Sequence, residues 1–196
     1  EALKHGLCDA RRVTLLGSTG SIGTQAVQVI EHLARLAGTT VEAEDAPLKV
    51  TAINAGSRSL ELLAQQAVRV RAELVATSGT AQDAQRLQEY LDAAARSVGI
   101  SGYSPRIVWG ERASVEAAAH PADVVLNGIT GSIGLEPTLT ALKAGYRVAL
   151  ANKESLIAGG PLVRAAVDAS PLETPMVPVD SEHSALAQAL DSGTDA

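Results

Sequence analysis

The sequence has 196 residues, of which 46% are apolar and 19% are charged, and its net charge is −6. This length suits one ordinary domain with a real core, and the composition is that of a globular chain. The negative charge and the lack of a Lys/Arg-rich run argue against a nucleic-acid partner, because such binding depends on phosphate neutralisation. The single cysteine, Cys8, excludes a disulfide framework and a Cys-ligated zinc site, and it fits a reducing compartment.

The apolar runs are broken by charge or glycine before they reach the roughly 18 residues that a membrane-spanning helix needs. The start of the sequence is polar and lacks the apolar stretch and cleavage site of a signal peptide. We therefore expect a cytoplasmic protein that binds neither a membrane nor nucleic acid.

Short apolar runs alternate along the chain with longer amphipathic segments. Strands are predicted at 13–16, 48–55, 73–76, 107–109, 123–127, 147–151 and 176–179. Helices are predicted at 22–36, 59–70, 81–98, 136–144 and 160–169. This alternation predicts an α/β fold with a doubly wound, mostly parallel sheet and helices on both faces. The polar stretches 38–47 and 99–105 have turn chemistry and are expected to be surface excursions.

A glycine-rich turn follows the first predicted strand and opens the first predicted helix. Its sequence, GSTGSIG at 17–23, has the G-x-x-G-x-x-G spacing of a dinucleotide-binding turn. Gly17 allows a tight turn, Gly20 allows a pyrophosphate to approach the backbone, and Gly23 allows the helix to pack close to the strand. The phosphate would lie at the positive end of the helix dipole, with the hydroxyls of Thr19 and Ser21 as further donors. A purely structural glycine turn is the alternative.

The same pattern recurs at 128–134 as GITGSIG, which matches 17–23 at six of seven positions. Each copy follows an apolar strand and precedes a helical segment, as expected for two mononucleotide-binding halves. Chance similarity between two glycine-rich turns is the alternative.

The residues after the second predicted strand favour NADPH over NADH. An NAD site usually has an acidic residue about 20 positions further on, which binds the ribose 2′-hydroxyl. Counting leads to Glu42, Glu44 and Asp45, but these lie in a polar stretch rather than at a strand end. The strand instead ends in Gly-Ser-Arg-Ser at 56–59, where Arg58 and two hydroxyls can bind a 2′-phosphate. A merely solvated Arg58 is the alternative.

Two further motifs place charged groups after the sixth and seventh predicted strands. Asn152, Lys153 and Glu154 follow the sixth strand at the carboxyl edge, where α/β sheets bind ligands, although a solvated helix cap is the alternative. Asp180 and Glu182 are at positions i and i+2 of an extended segment, so they project to the same side and suit Mg²⁺ or Mn²⁺. Helix capping by Asp180 is the alternative.

Three motifs together carry a resemblance to a known family: GSTGSIG at 17–23, LANKES at 150–155 and PVDSEHSA at 178–185. In this order and spacing, over about residues 12–190, they resemble 1-deoxy-D-xylulose 5-phosphate reductoisomerases. The resemblance implies a Rossmann-like fold and an enzyme of non-mevalonate isoprenoid biosynthesis. Such an enzyme rearranges 1-deoxy-D-xylulose 5-phosphate and reduces the product with NADPH to 2-C-methyl-D-erythritol 4-phosphate. It also implies a requirement for Mn²⁺ or Mg²⁺, inhibition by fosmidomycin, and a homodimer for the full-length enzyme.

The resemblance assigns individual residues to the cofactor, the substrate and the metal. The NADPH contacts that it implies are Thr19, Gly20, Ser21, Ile22, Gly56, Ser57, Arg58, Asn152 and Glu154. Substrate contacts are implied for Lys153, Ser181 and Glu182, and metal ligation for Asp180 and Glu182, with Lys153 and Glu182 as the catalytic residues. The pair Ser57-Arg58 replaces a Lys-Asn pair of some members, which leaves the contacts to the 2′-phosphate open.

The resemblance also divides the chain. It implies an N-terminal extension at 1–11, an NADPH-binding domain at 12–175 and the start of a catalytic domain at 176–196, whose remainder would follow. The chain alone is therefore expected to be inactive. The alternative is another NADP-dependent oxidoreductase, of the semialdehyde dehydrogenase type. That class needs a nucleophilic cysteine in its catalytic portion, and the single cysteine here, Cys8, precedes the first strand, which disfavours it. A nucleotide-sensing domain without chemistry would have no use for Lys153 or for the Asp180/Glu182 pair.

Overall fold

The structure is a computed structural model that describes residues 11–151 and 153–179. The strands of this part are β1 (Arg11–Leu16), β2 (Leu48–Ala55), β3 (Leu74–Thr77), β4 (Arg106–Trp109), β5 (Val124–Asn127), β6 (Arg147–Leu150) and β7 (Met176–Pro178). The α-helices are α1 (Ser21–Leu36), α2 (Leu60–Val70), α3 (Ala81–Ser97), α4 (Ala113–Ala119), α5 (Leu135–Lys143) and α6 (Lys153–Asp168). Short 3-10 helices lie at Ser57–Ser59 and Ser132–Gly134. In this described part, none of the helices is long and apolar enough to cross a membrane.

The seven strands form one parallel sheet in the order β4-β3-β2-β1-β5-β6-β7. The chain moves outward from β1 to β4, returns to the other side of β1 and continues to β7. Each parallel step needs a crossover, which the helices supply. The predicted doubly wound α/β fold is confirmed. The strand order reverses between β1 and β5, which is the position where such sheets bind ligands.

Helices cover both faces because successive strand residues point to opposite sides of the sheet. On one face, Val13 and Leu15 of β1 belong to an apolar core that they share with residues of α1, α2 and α3. On the other face, Leu16 belongs to a second core with residues of α4, α5 and α6. This second core is rich in alanine, including Ala113 and Ala117 of α4, so these helices can pack close to the sheet. A core of small branched side chains fits a chain that has no phenylalanine.

The predicted elements agree with the structure within two residues at their ends, with two exceptions. Helix α4 was missed because its seven residues, ASVEAAA, are too few and too uniform to show a helical period. The predicted helix at 160–169 is present as the second part of α6, but the first part, from Lys153, was missed; Gly159 (φ −125°, ψ 21°) lies outside the helical range and divides α6 into two helical segments. Pro161 lies in the first turn after Gly159, where a missing N–H costs little.

The two polar stretches are only partly surface excursions. In 38–47 the acidic residues are exposed, but Ala46 and Pro47 are buried. In 99–105 the hydroxyl of Tyr103 lies 3.0 Å from the carbonyl oxygen of Ala67 and 2.8 Å from that of Ala72. Burial raises the pKa of the Tyr103 phenol, which therefore stays protonated as a donor. The second stretch thus anchors the end of α2.

The segment 176–196, predicted to start a catalytic domain, opens with a strand of the same sheet. β7 pairs with β6, from Met176 opposite Val148 to Pro178 opposite Leu150. Residues 180–196, and 1–10 of the predicted extension, lie outside the described residues. The domain boundaries therefore stay predictions.

Candidate functional site

A cleft of about 930 Å³ opens at the carboxyl edge of the sheet, across the point where the strand order reverses. Its lining residues come from the segments that follow different strands. Those after β1 are Gly17, Thr19 and Gly20, those after β2 are Gly56 and Arg58, and those after β5 are Gly128, Ile129, Thr130, Ser132 and Ile133. Both copies of the glycine-rich sequence therefore line a single cleft.

The first glycine turn is shaped by positions that only glycine can occupy. Gly17 has a φ of +75°, in the left-handed region, and its carbonyl accepts a hydrogen bond from the N–H of Gly20 at 3.0 Å. A Cβ on Gly23 would lie 2.5 Å from the carbonyl oxygen of Ser18, so glycine at this position allows α1 to pack directly on the turn. Gly17 thus makes the predicted tight turn, and Gly23 allows close packing against the turn rather than against the strand.

The N-terminus of α1 differs from that of α3 in its capping. Among residues 11–151 and 153–179, no side chain caps the start of α1, and its first turn contains no acidic residue. Helix α3 differs, because Thr80 and Asp83 form a capping box with Asp83 Oδ2 2.9 Å from the N–H of Thr80. The backbone hydrogen bond from Thr80 lowers the pKa of Asp83, so that helix start is already occupied by a carboxylate. Of these two helix starts, α1 is the one whose N–H groups and dipole can receive an external anion.

The second glycine turn touches the first through backbone atoms. A Cβ on Gly17 would lie 2.8 Å from both the carbonyl carbon and the carbonyl oxygen of Gly128. The N–H of Gly128 in turn donates to the carbonyl of Leu16 at 2.9 Å. Because the contact is between main chains, a side chain at Gly17 would push the two turns apart.

Asn127 holds the second turn in place. It is fully buried at the end of β5, and its Nδ2 donates to the carbonyl of Gly134 at 2.9 Å and to Thr138 Oγ1 at 2.8 Å. Its Oδ1 accepts a hydrogen bond from the N–H of Ile129 at 3.1 Å. One side chain therefore ties both ends of the turn to the sheet.

Among the described residues that line the cleft, Arg58 is the cation. It is exposed in the 3-10 helix that follows β2, and none of the ion pairs found within residues 11–151 and 153–179 involves it. Of the acidic residues in the lining, Glu136 is paired with Arg112 at 3.0 Å. In the described part of the chain, the lining includes none of the acidic residues of 38–47. A positive group thus lies in the cleft just after β2.

The remaining predicted site residues do not all meet in the cleft. Ser21 and Ile22 form the first turn of α1 beside Gly20, and Ser57 is exposed beside Arg58, but these three do not line the cleft. Lys153 and Glu154 are exposed in the first turn of α6, after β6 and outside the cleft lining. The other predicted site residues, Asn152, Asp180, Ser181 and Glu182, lie outside the described residues. Within the described ranges, no group of three or more His, Cys, Asp or Glu side chains could hold a metal ion.

Part of the cleft was not predicted. Ser78 follows β3, and Glu111, Ser114 and Val115 follow β4, so they extend the cleft beyond Arg58. Their signal in the sequence is only their position after predicted strands, since the carboxyl ends of parallel strands meet at one edge. Asn127 ends the predicted strand at 123–127, but nothing in the sequence indicates that its side chain is buried and holds the second glycine turn.

These features define an α/β domain of the Rossmann type: a doubly wound parallel sheet with a glycine turn after β1, beside the point of strand reversal. The family model for 1-deoxy-D-xylulose 5-phosphate reductoisomerase matches residues 13–160. The chain therefore belongs to that family.

Relatives and solved structures agree with this assignment. The chain is 54% identical over 184 residues to a 1-deoxy-D-xylulose 5-phosphate reductoisomerase of Arthrobacter sp. (strain FB24), covering 94% of this chain and 42% of that protein. It is 46% identical to that of Kitasatospora griseola, covering 92% and 42%. The chain thus spans about two fifths of the length of these relatives.

Among solved structures, the enzyme from Zymomonas mobilis in complex with NADPH has a TM-score of 0.75 at 36% identity, covering 92% of this chain and 41% of that chain. A DOX-P reductoisomerase in complex with NADPH, fosmidomycin and magnesium has a TM-score of 0.70 at 27% identity, covering 91% and 38%. The fold of the described residues is therefore that of the corresponding part of these enzymes.

Proposed function

We propose that this chain is the NADPH-binding part of a 1-deoxy-D-xylulose 5-phosphate reductoisomerase. The complete enzyme would convert 1-deoxy-D-xylulose 5-phosphate to 2-C-methyl-D-erythritol 4-phosphate in isoprenoid biosynthesis. The observation that carries this proposal is the cleft at the strand reversal, where the glycine turn, the uncapped start of α1 and Arg58 come together. The proposed activity is that of a longer protein, because the chain spans 42% of the length of the Arthrobacter and Kitasatospora relatives.

The residues of the cleft fit NADPH. The start of α1 offers N–H groups to a pyrophosphate, and Arg58 offers a guanidinium to a 2′-phosphate. A Cβ on Gly56 would meet nothing within 4 Å, so the backbone beside Arg58 is open to the cleft. The proposed contacts are Thr19, Gly20, Ser21, Ile22, Gly56, Ser57, Arg58, Asn152 and Glu154. When bound, NADPH supplies the hydride for the reduction.

The substrate and metal contacts are proposed for the other end of the carboxyl edge. Lys153 is exposed just after β6, and β7 ends beside β6 with Pro178 opposite Leu150. The chain therefore reaches this edge twice, next to Lys153 and again just before Asp180. We propose that Lys153, Ser181 and Glu182 bind the sugar phosphate, and that Asp180 and Glu182 hold Mn²⁺ or Mg²⁺ through hard carboxylate oxygens. Lys153 would shield the negative charge that develops on substrate oxygens during the rearrangement.

The organisation of the whole protein is also part of the proposal. We propose that 12–175 is the NADPH-binding domain, that 176–196 starts the catalytic domain, and that 1–11 is an extension. The complete enzyme would be a cytoplasmic homodimer. Family membership disfavours both a semialdehyde dehydrogenase and a nucleotide-sensing domain without chemistry.

The turnover assay on the complete protein tests the proposed activity. NADPH oxidation should require both 1-deoxy-D-xylulose 5-phosphate and a divalent cation, and it should stop when EDTA removes the cation and resume with Mn²⁺. NADH at the same concentration should support little turnover. Turnover that is unchanged in EDTA would contradict the metal assignment, and the absence of turnover with this substrate would contradict the proposed function.

A further inference from the structure

A glutamine is buried in the middle of α2, where an apolar residue would be expected. Gln66 is 1% exposed, and Leu63 and Val70, at helical spacing from it in α2, are also buried. Its Nε2 donates a hydrogen bond to the carbonyl oxygen of Ser18, in the first glycine turn, at 3.0 Å. Its Oε1 has no hydrogen-bond partner among the described residues. A buried amide with a hydrogen bond on its nitrogen but none on its oxygen lowers the free energy of unfolding. Core packing alone therefore does not explain a glutamine at this position.

Gln66 is one of the groups that hold the backbone of Ser18 in place. The N–H of Ser18 donates to the carbonyl of Asn54, at the end of β2, at 2.9 Å. Its carbonyl accepts from Gln66 and lies against α1 at Gly23, where a Cβ would be 2.5 Å away. Two groups therefore set the orientation of the Ser18–Thr19 peptide, Gln66 on α2 and the backbone of α1 at Gly23, while β2 holds the preceding peptide.

This orientation determines which way the next N–H points. The described peptide bonds are all trans, so the carbonyl of Ser18 and the N–H of Thr19 point in opposite directions within one planar unit. The carbonyl is directed toward α2, and the N–H of Thr19 is therefore directed away from it. Thr19 lines the cleft.

We propose that Gln66 is a positioning residue for the cofactor, which acts by holding the Ser18–Thr19 peptide so that its N–H is available to the pyrophosphate. This inference rests on the proposed binding of NADPH. Gln66 itself would not touch the cofactor. Without the amide donor of Gln66, the Ser18–Thr19 peptide should be able to rotate. The substitution should therefore lower the affinity for the pyrophosphate more than it lowers the free energy of unfolding.

The test is the substitution Gln66→Met, which keeps the length of the side chain and removes its donor. The matched control is Gln65→Met, because Gln65 is the exposed neighbour whose amide lies 3.4 Å from Glu61 within the same helix. Calorimetric titration of each variant would use NADPH and adenosine 2′-monophosphate, which has the 2′-phosphate and no pyrophosphate. We expect Gln66→Met to weaken NADPH about tenfold, corresponding to the loss of one strong hydrogen bond. Binding of adenosine 2′-monophosphate should stay within about twofold, and Gln65→Met should match the wild type for both ligands.

The outcomes separate this inference from the proposed function. A wild-type chain that does not bind NADPH would overturn the proposed function and the inference with it. A wild-type chain that binds NADPH, with Gln66→Met weakening both ligands equally or neither, would overturn the inference alone.

If Gln66→Met does not fold, NMR of the wild-type chain tests whether the N–H of Thr19 contacts the pyrophosphate. The Thr19 amide resonance should shift with NADPH and much less with adenosine 2′-monophosphate, and equal shifts would overturn the inference.

Discussion

Replacing Arg58 by glutamate should remove the preference for NADPH over NADH and weaken NADPH binding on the order of 100-fold. Arg58 lines the cleft just after β2, and none of the ion pairs in the described part of the chain engages its guanidinium. A charge-assisted hydrogen bond to a phosphate contributes about 1.5–3 kcal/mol, and the new carboxylate would add repulsion. NADH has no 2′-phosphate and should lose little affinity. Calorimetry with both nucleotides measures the change.

A matched charge reversal away from the cleft controls for the net charge. Arg96 is exposed in the last turn of α3 and does not line the cleft. Arg96→Glu should leave the ratio of the NADPH and NADH dissociation constants unchanged. If the two reversals lowered NADPH affinity equally, Arg58 would have no specific contact with the 2′-phosphate.

Replacing Gly17 by alanine should destabilise the chain by about 3 kcal/mol or more and abolish measurable NADPH binding. The added Cβ would lie 2.8 Å from two backbone atoms of Gly128, and the φ of +75° is itself unfavourable for alanine. Backbone atoms cannot move aside as a flexible side chain can. The two glycine turns would therefore separate, and the cleft between them would change shape. Urea denaturation and NADPH titration measure the two effects.

Gly160→Ala is the control for a glycine substitution as such. Gly160 lies in α6, and a Cβ there would meet nothing within 4 Å. Alanine at this position should change the free energy of unfolding by less than about 1 kcal/mol, because its helix preference is offset by the restriction that Pro161 places on the residue before it. Wild-type stability in Gly17→Ala would show that the two turns do not pack as the structure has them.

The sequence predicted those elements whose local pattern is strong. The strands of this parallel sheet are nearly continuous apolar runs, and the long helices α1 and α3 show a clear helical period. Helix α4 was missed because seven residues do not give two full turns of pattern. The first part of α6 was missed because Gly-Gly-Pro at 159–161 is a turn signal, and the helical φ/ψ values are in fact interrupted at Gly159.

The parts of the candidate site that lie in short sequence motifs could be predicted from the sequence. The first glycine turn and Arg58 line the cleft, because a turn after β1 and a turn after β2 must meet at the same edge of a parallel sheet. The sequence also showed the second glycine turn as a repeat, but not that it touches the first, since that depends on β5 lying beside β1. The hydrogen bonds of Gln66 and Asn127 join residues that are distant in the chain or buried by tertiary packing, so no local pattern could indicate them.

The most direct test asks whether this chain binds NADPH in preference to NADH. Calorimetry under identical conditions would measure the dissociation constants of both nucleotides. We expect one site per chain, with NADPH bound at least about tenfold more tightly than NADH, because the guanidinium of Arg58 lines the cleft just after β2, where it can bind a 2′-phosphate. NADH binding that is as tight as NADPH binding, or tighter, would contradict it.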